Sequence, residues 1–263
     1  MTRRRAPVPR PAVALAVVGA ALFVLPLVGL VARTPWTALA SALGSPEAMA
    51  ALRLSLVCSL SATAVSVVLG LPLAWVQARA AFPGRALVRA LTMLPIVLPP
   101  VVGGVALLTA FGRRGLVGRW LDEALGVRLG FTTAGAVLAE TFVAMPFFVL
   151  AVEAALRGVD TRLEDAARTL GAGRWRVFRL VTLPLAAPAV GAGALLCWAR
   201  ALGEFGATIT FAGNMPGRTQ TLPLAVYVAL ESRPEAGIAL SLVLLVLAVA
   251  VLVGLRGRWL GAP

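Results

Sequence analysis

The spacing between charges constrains this chain more than any single motif does. Residues 12 to 32, 54 to 78, 90 to 112, 180 to 199 and 236 to 255 carry no charged side chain. A helix needs about 20 largely apolar residues to cross the hydrocarbon core of a bilayer, and each of these runs is long enough. A sixth stretch, 131 to 152, is apolar on either side of the single acid Glu140. The expectation is an all-α integral membrane protein with six transmembrane helices. A chain that is 60% hydrophobic and 13% charged, with a mean hydropathy of +0.92, has lipid rather than water as the solvent of most of its surface.

The segments between the runs set the orientation. All 24 basic residues are arginine, against 11 acids, giving a net charge of +13. They stand in short groups between apolar spans, where they act as topology signals and contacts for anionic headgroups, so no nucleic acid partner is expected. The first run follows "RRRAPVPR". It is longer than the apolar part of a signal peptide and lacks a small-residue cleavage site, so it reads as an uncleaved first helix. With the N-terminus in the cytoplasm, 15 arginines fall in cytoplasmic segments and 8 on the opposite side, leaving Arg200 in the membrane. That bias places both termini inside. Residues 219 to 230, divided by Pro223, are apolar but too short to span, and read as an interfacial or re-entrant helix on the outer face. Prolines 72, 95, 99, 100 and 146 fall within the runs, where they bend helices, either as ordinary bundle geometry or as a gate.

Some chemistries are excluded early. Histidine is absent, and Cys58 and Cys197 lie inside apolar runs without a second ligand-type residue beside them, which argues against a metal site or a disulfide framework. No paired acids stand in the spans to support a membrane-embedded enzyme. A phosphate-binding loop of the form G-x-x-x-x-G-K-[ST] needs a lysine that the chain does not have, so it holds no such ATPase site.

A charged segment, "EDAARTLGAGRWRVFRLVTLPLAAPAV", residues 164 to 190, leads from the loop after the fourth span into the fifth. Asp160 or Thr161 can cap a short helix whose first turn holds Glu164 and Asp165, where the helix dipole favours negative charge. Leu163, Ala166, Ala167 and Leu170 fall on one helical face, and the two alanines permit close approach of a partner. Gly171 and Gly173 end that helix, and "RWRVFRLV" carries Trp175, Phe178 and Leu180 towards Pro184. A basic stop-transfer loop would account for the arginines alone, but not for this order of acids, alanines, glycine turn and Leu-Pro. Asp165, Ala166, Ala167, then Gly171, then Leu183 and Pro184 resemble the cytoplasmic "EAA" loop of permease subunits in ABC importers, with Asp165 where that family usually has Glu and with Glu164 just before it. The resemblance implies that this loop enters a groove of a separate ATPase subunit, which uses the ATP, and transmits its closure.

The fifth run ends in "CWARALGEFGATITFAGNMPGRTQTLPLAVY". Arg200 and Glu204 are four residues apart, which places them on one helix face. Charges inside a membrane segment usually face the bundle interior or a water-filled cavity. They are read here either as part of a pathway or as an ion pair that fixes packing. Gly203 and Gly206 permit close packing, and Thr208, Thr210 and Asn214 add hydrogen-bonding groups. This segment, with "MLPIVLPPVVGGVALLTAFGRRG" and "FTTAGAVLAETFVAMPF", resembles the permeases of molybdate importers over roughly residues 50 to 255. Sulfate and thiosulfate permeases share the R-A-L-G-E core, and "TITF" and "TQTLPLAVY" favour molybdate.

The resemblance implies a type I ABC importer permease fold in residues 50–255, preceded by a tail, first helix and outer loop in 1–49 and followed by a short tail in 256–263. It also implies a permease homodimer, two ATPase subunits and an extracytoplasmic oxyanion-binding protein, with no cofactor or metal on this chain. The translocation pathway would run along Arg200, Glu204, Thr208, Thr210 and Asn214. The alternatives are a sulfate, thiosulfate or tungstate permease of the same family, or a membrane scaffold that transports nothing.

Overall fold

The computed structural model describes residues 9–259; Arg3, Arg4 and Arg5 of the expected cytoplasmic tail, and residues 260–263, lie outside them. The described chain is all helical. Helix α1 (Arg10–Arg33) is followed by the short α2 (Trp36–Leu43), the long α3 (Pro46–Arg79), α4 (Arg85–Val97), α5 (Pro100–Phe111) and α6 (Gly118–Leu125). The chain continues through α7 (Thr133–Gly158), α8 (Thr161–Thr169), α9 (Arg174–Val177) and a π-helical turn at Phe178–Thr182 into α10 (Leu183–Leu202). Short α11 (Gly206–Phe211), α12 (Leu222–Ser232) and the long α13 (Pro234–Trp259) complete it.

Local chemistry fixes the helix starts. Ser45 accepts a hydrogen bond from the Ala48 N–H at 3.2 Å ahead of Pro46 at the first position of α3, and Thr132 accepts from the Gly135 N–H at 3.1 Å ahead of α7. Small residues decide the packing. α3 buries Ala51, Ser55, Cys58, Ala62, Ser66 and Gly70, among others, a stripe at helical spacing laid against α7. Without a hydrophobic drive between helices in lipid, close backbone approach is what holds them, and small residues allow it. Phe148 of α7 fills the space beside Gly70 of α3 and Gly193 of α10. With Val149, Val152, Leu156, Ala62 and Cys197, it forms the core of an α3–α7–α10 unit. Cys58 and Cys197 are free and buried, as small packing residues. α1 buries none of its residues and touches the bundle mainly through α13.

Five helices among the described residues are long and apolar enough to cross a membrane: α1, α3, α7, the continuous unit Arg174–Leu202, and α13 over Pro234–Val251. The run at 90 to 112, expected as one span, is instead two helices. Leu98 is extended (φ −69°, ψ 132°) between α4 and α5, because a residue before proline is driven out of the α region and Pro99 and Pro100 follow in series. Prolines 72, 95 and 146 lie inside α3, α4 and α7 without breaking them.

The half-helix α5 packs on α11 with almost no clearance. A methyl group at Gly104 would lie 2.5 Å from Thr210 Cβ and 3.0 Å from the Ala207 carbonyl oxygen, and one at Gly206 would lie 2.8 Å from Pro100 Cβ. Gly104→Val is therefore expected to cost about 1–3 kcal/mol by overpacking against backbone. Thermal unfolding in detergent checks this: an unchanged midpoint contradicts the tight α5–α11 contact.

Candidate functional site

The charged loop lies beside the ends of α3 and α7. Asp160 caps α8, accepting from the Arg162 N–H at 2.9 Å. The helix stops at Gly171, whose φ of +83° only glycine adopts without strain, while the Ala172 N–H donates to the Ala167 carbonyl at 3.0 Å. α9 and the π turn then lead back to the bundle, where Phe178 packs on Trp75 of α3 with ring centroids 4.2 Å apart and on Trp175 at 5.5 Å.

The loop residues singled out by sequence divide into two groups. Asp165, Ala166, Gly171 and Pro184 are exposed, and Ala167 and Leu183 are half-buried. Leu163 and Leu170 are exposed beside the alanines, so the face expected from helical spacing is present and uncovered by the rest of the chain. Glu164 does not share it. Its side chain is only 6% exposed and accepts from Arg79 Nη2 at 2.9 Å and from the Thr182 hydroxyl at 3.0 Å. Arg168 lies 3.4 Å from the other Glu164 oxygen and 2.6 Å from Asp165. Glu164 is thus held inside the fold by partners 85 and 18 residues away.

The second group of residues lies at the other end of α10. Arg200 Nη2 is 2.7 Å from Glu204 Oε2, so the pair forms. It does not sit on one helix: α10 ends at Leu202, and Glu204 occupies the break before α11, where its Oε1 accepts from the Ala207 N–H at 2.8 Å. One carboxylate therefore serves both as Arg200's counter-ion and as a cap for α11. Glu204 is buried, while the Arg200 side chain is 29% exposed. Thr208 is buried with its hydroxyl unpartnered among the described residues, and Asn214 Oδ1 is likewise unpartnered. Thr210 turns its hydroxyl back to the Gly206 carbonyl at 2.8 Å, which removes it as a free donor. Glu140 of α7 is buried near Glu204, with Oε2 unpartnered among the described residues.

Sequence reasoning missed two further charge clusters. Glu153 of α7 is buried between Arg157 at 2.5 Å and Arg89 at 3.3 Å. Its four-residue spacing to Arg157 was the available signal. Asp122 of α6 is gripped by Arg128 at 2.7 Å and Arg113 at 3.2 Å, and the Arg128 hydrogen bond foremost holds its carboxyl below the usual carboxylate range.

Comparison with known proteins gives a consistent result. The family model described as the binding-protein-dependent transport system inner membrane component matches residues 66–261. The molybdenum transport system permease protein ModB of Mycobacterium tuberculosis is 46% identical over 245 residues, covering 92% of this chain and 92% of that protein. Its counterpart in Escherichia coli K12 is 46% identical over 218 residues, covering 83% of this chain and 95% of that protein. Among solved structures, a bacterial ABC transporter involved in the import of the acidic polysaccharide alginate superposes with a TM-score of 0.73 at 19% identity, over 94% of this chain and 93% of that one. That likeness carries the fold.

Proposed function

The chain belongs to the family of inner membrane components of binding-protein-dependent transport systems, and from that premise we propose that it is the membrane-spanning subunit of an ATP-driven ABC importer for molybdate. It is a multi-pass protein of the cytoplasmic membrane. Substrate reaches it from a separate binding protein, and the chain serves as a non-catalytic conduit. Relatives 46% identical over most of their length are molybdenum permeases, which favours molybdate over sulfate or tungstate.

The observation that carries the mechanism is α8. Its Leu163, Ala166 and Leu170 stand exposed on a helix whose other side is anchored internally, which suits a docking element for a soluble subunit. In this reading two ATPase subunits bind the α8 loops of a permease homodimer and supply all the ATP chemistry. The broken α4–α5 unit makes the sixth crossing, and both termini are cytoplasmic. Arg200 offers the positive charge that a dianion needs along its path, with Glu204 fixing its position and Thr208 and Asn214 offering hydrogen bonds nearby. Co-purification with an ABC ATPase tests the assembly, and a permease isolated without one under conditions that preserve its fold opposes it.

The orientation is testable separately. In a background lacking Cys58 and Cys197, single cysteines at the exposed Thr161 and Arg218 are probed with a membrane-impermeant thiol reagent. Only position 218 is expected to label from outside. The reverse pattern inverts the topology.

A further inference from the structure

At about 100° per residue, Leu163, Ala166, Ala167 and Leu170 gather on one side of α8, while Glu164 and Arg168 fall on another. The first side is open and the second holds the buried carboxylate. The donors that reach Glu164 come from the ends of other helices. Arg79 is the last residue of α3, and Thr182 is the last residue of the π turn, immediately before α10. The same Arg79 nitrogen also donates to the Val159 carbonyl at 3.2 Å, just past the end of α7. The carboxylate is thus tied directly to the end of α3 and the start of α10, and through Arg79 to the end of α7.

The chain reaches α8 from α7 through only Val159 and Asp160 and leaves it by a glycine turn. Towards α9 it passes through Gly171 and Gly173, neither of which has an atom within 4 Å of where a Cβ would stand. The aromatic contacts of Phe178 with Trp75 and Trp175 are not directional in the way a charge-assisted hydrogen bond is. The turn that presents Thr182 is π-helical, a local widening found frequently at functional sites.

We propose that Glu164 is the positioning residue that passes displacement of α8 to α3 and α10. It is distinct from the exposed Asp165, which stands where the family pattern has its acid, and the inference rests on the reading that α8 docks on an ATPase. When the docked face is pushed or drawn, the Arg79–Glu164–Thr182 connection moves the ends of α3 and α10 with α8. Glu164 makes no contact with the transported anion.

The test uses the complete complex of this chain, its ATPase and its binding protein in proteoliposomes, with ATP hydrolysis and labelled molybdate uptake measured side by side. For Glu164→Gln, hydrolysis is expected to stay within about twofold of wild type while molybdate moved per ATP falls about 2- to 30-fold, the range of coupling changes produced by mutations along a connecting network. Thr182→Val, which removes one hydrogen bond and leaves the ion pair, is expected to lower the same ratio less. If Glu164→Gln does not assemble, Thr182→Val decides. Uptake and hydrolysis falling in proportion, or an unchanged ratio in both variants, overturns the latch and leaves Glu164 a purely structural residue. A wild-type complex with no ATP-dependent molybdate uptake overturns the proposed function instead, and the latch with it.

Discussion

Arg200→Met alone is expected to destabilise the detergent-extracted protein by about 3 kcal/mol, and Arg200→Met with Glu204→Gln is expected to recover most of that loss. Removing only the arginine strands a buried carboxylate whose other oxygen is already committed to the Ala207 N–H. Removing the second charge as well eliminates the uncompensated ion. Glutamine is the suitable replacement because its carbonyl can still accept from Ala207 and keep the cap on α11. Transport is expected to follow a different course. In the proposed topology Arg200 is the arginine left in the membrane, so the double variant should be stable yet slow in molybdate uptake. Recovery of both properties makes the pair purely structural. Absence of coupling between the two positions in a double-mutant cycle removes the pair from the account.

The second large effect is expected on the open face of α8. In the proposed assembly Ala167→Glu places a carboxylate where the ATPase surface closes, and burying it unpaired costs about 3 kcal/mol, enough to weaken docking more than a hundredfold. Gly171→Val acts through the backbone: at φ +83° a β-branched residue is strained by about 1–3 kcal/mol, although open space surrounds the site. Both variants are expected to insert and fold, to lose the ATPase on purification, and to lose uptake. Retained association and uptake in both would show that α8 is not the docking element.

Much of this architecture can be read from the sequence because bilayer crossing is a local property. Each charge-free run became helix, since length and apolarity suffice to specify it. The run at 90 to 112 departs because Pro99 and Pro100 stand in series, a signal present in the sequence but outweighed by run length. α12 forms as the short helix expected within 219 to 230, with Pro223 in its first turn rather than dividing it. Within the loop, a cap at Asp160 or Thr161 (the structure takes Asp160), the glycine stop and the Leu163–Leu170 face follow from spacing. The role of Glu164 does not, because Arg79 and Thr182 reach it only after α3 and α10 have packed on α7. Its position in the first turn fits a dipole contact equally well. Glu204 is similar: spacing to Arg200 gave the ion pair, but the end of α10 at Leu202, which turns the same carboxylate into a cap, depends on how α11 packs against α5.

The most direct measurement is ATP-dependent uptake of labelled molybdate by proteoliposomes containing this chain, its ATPase and its binding protein, with unlabelled sulfate and tungstate as competitors. The account predicts uptake that requires all three components and ATP, and that excess sulfate leaves largely intact. Uptake that proceeds without the ATPase, or that moves sulfate in preference to molybdate, would contradict it.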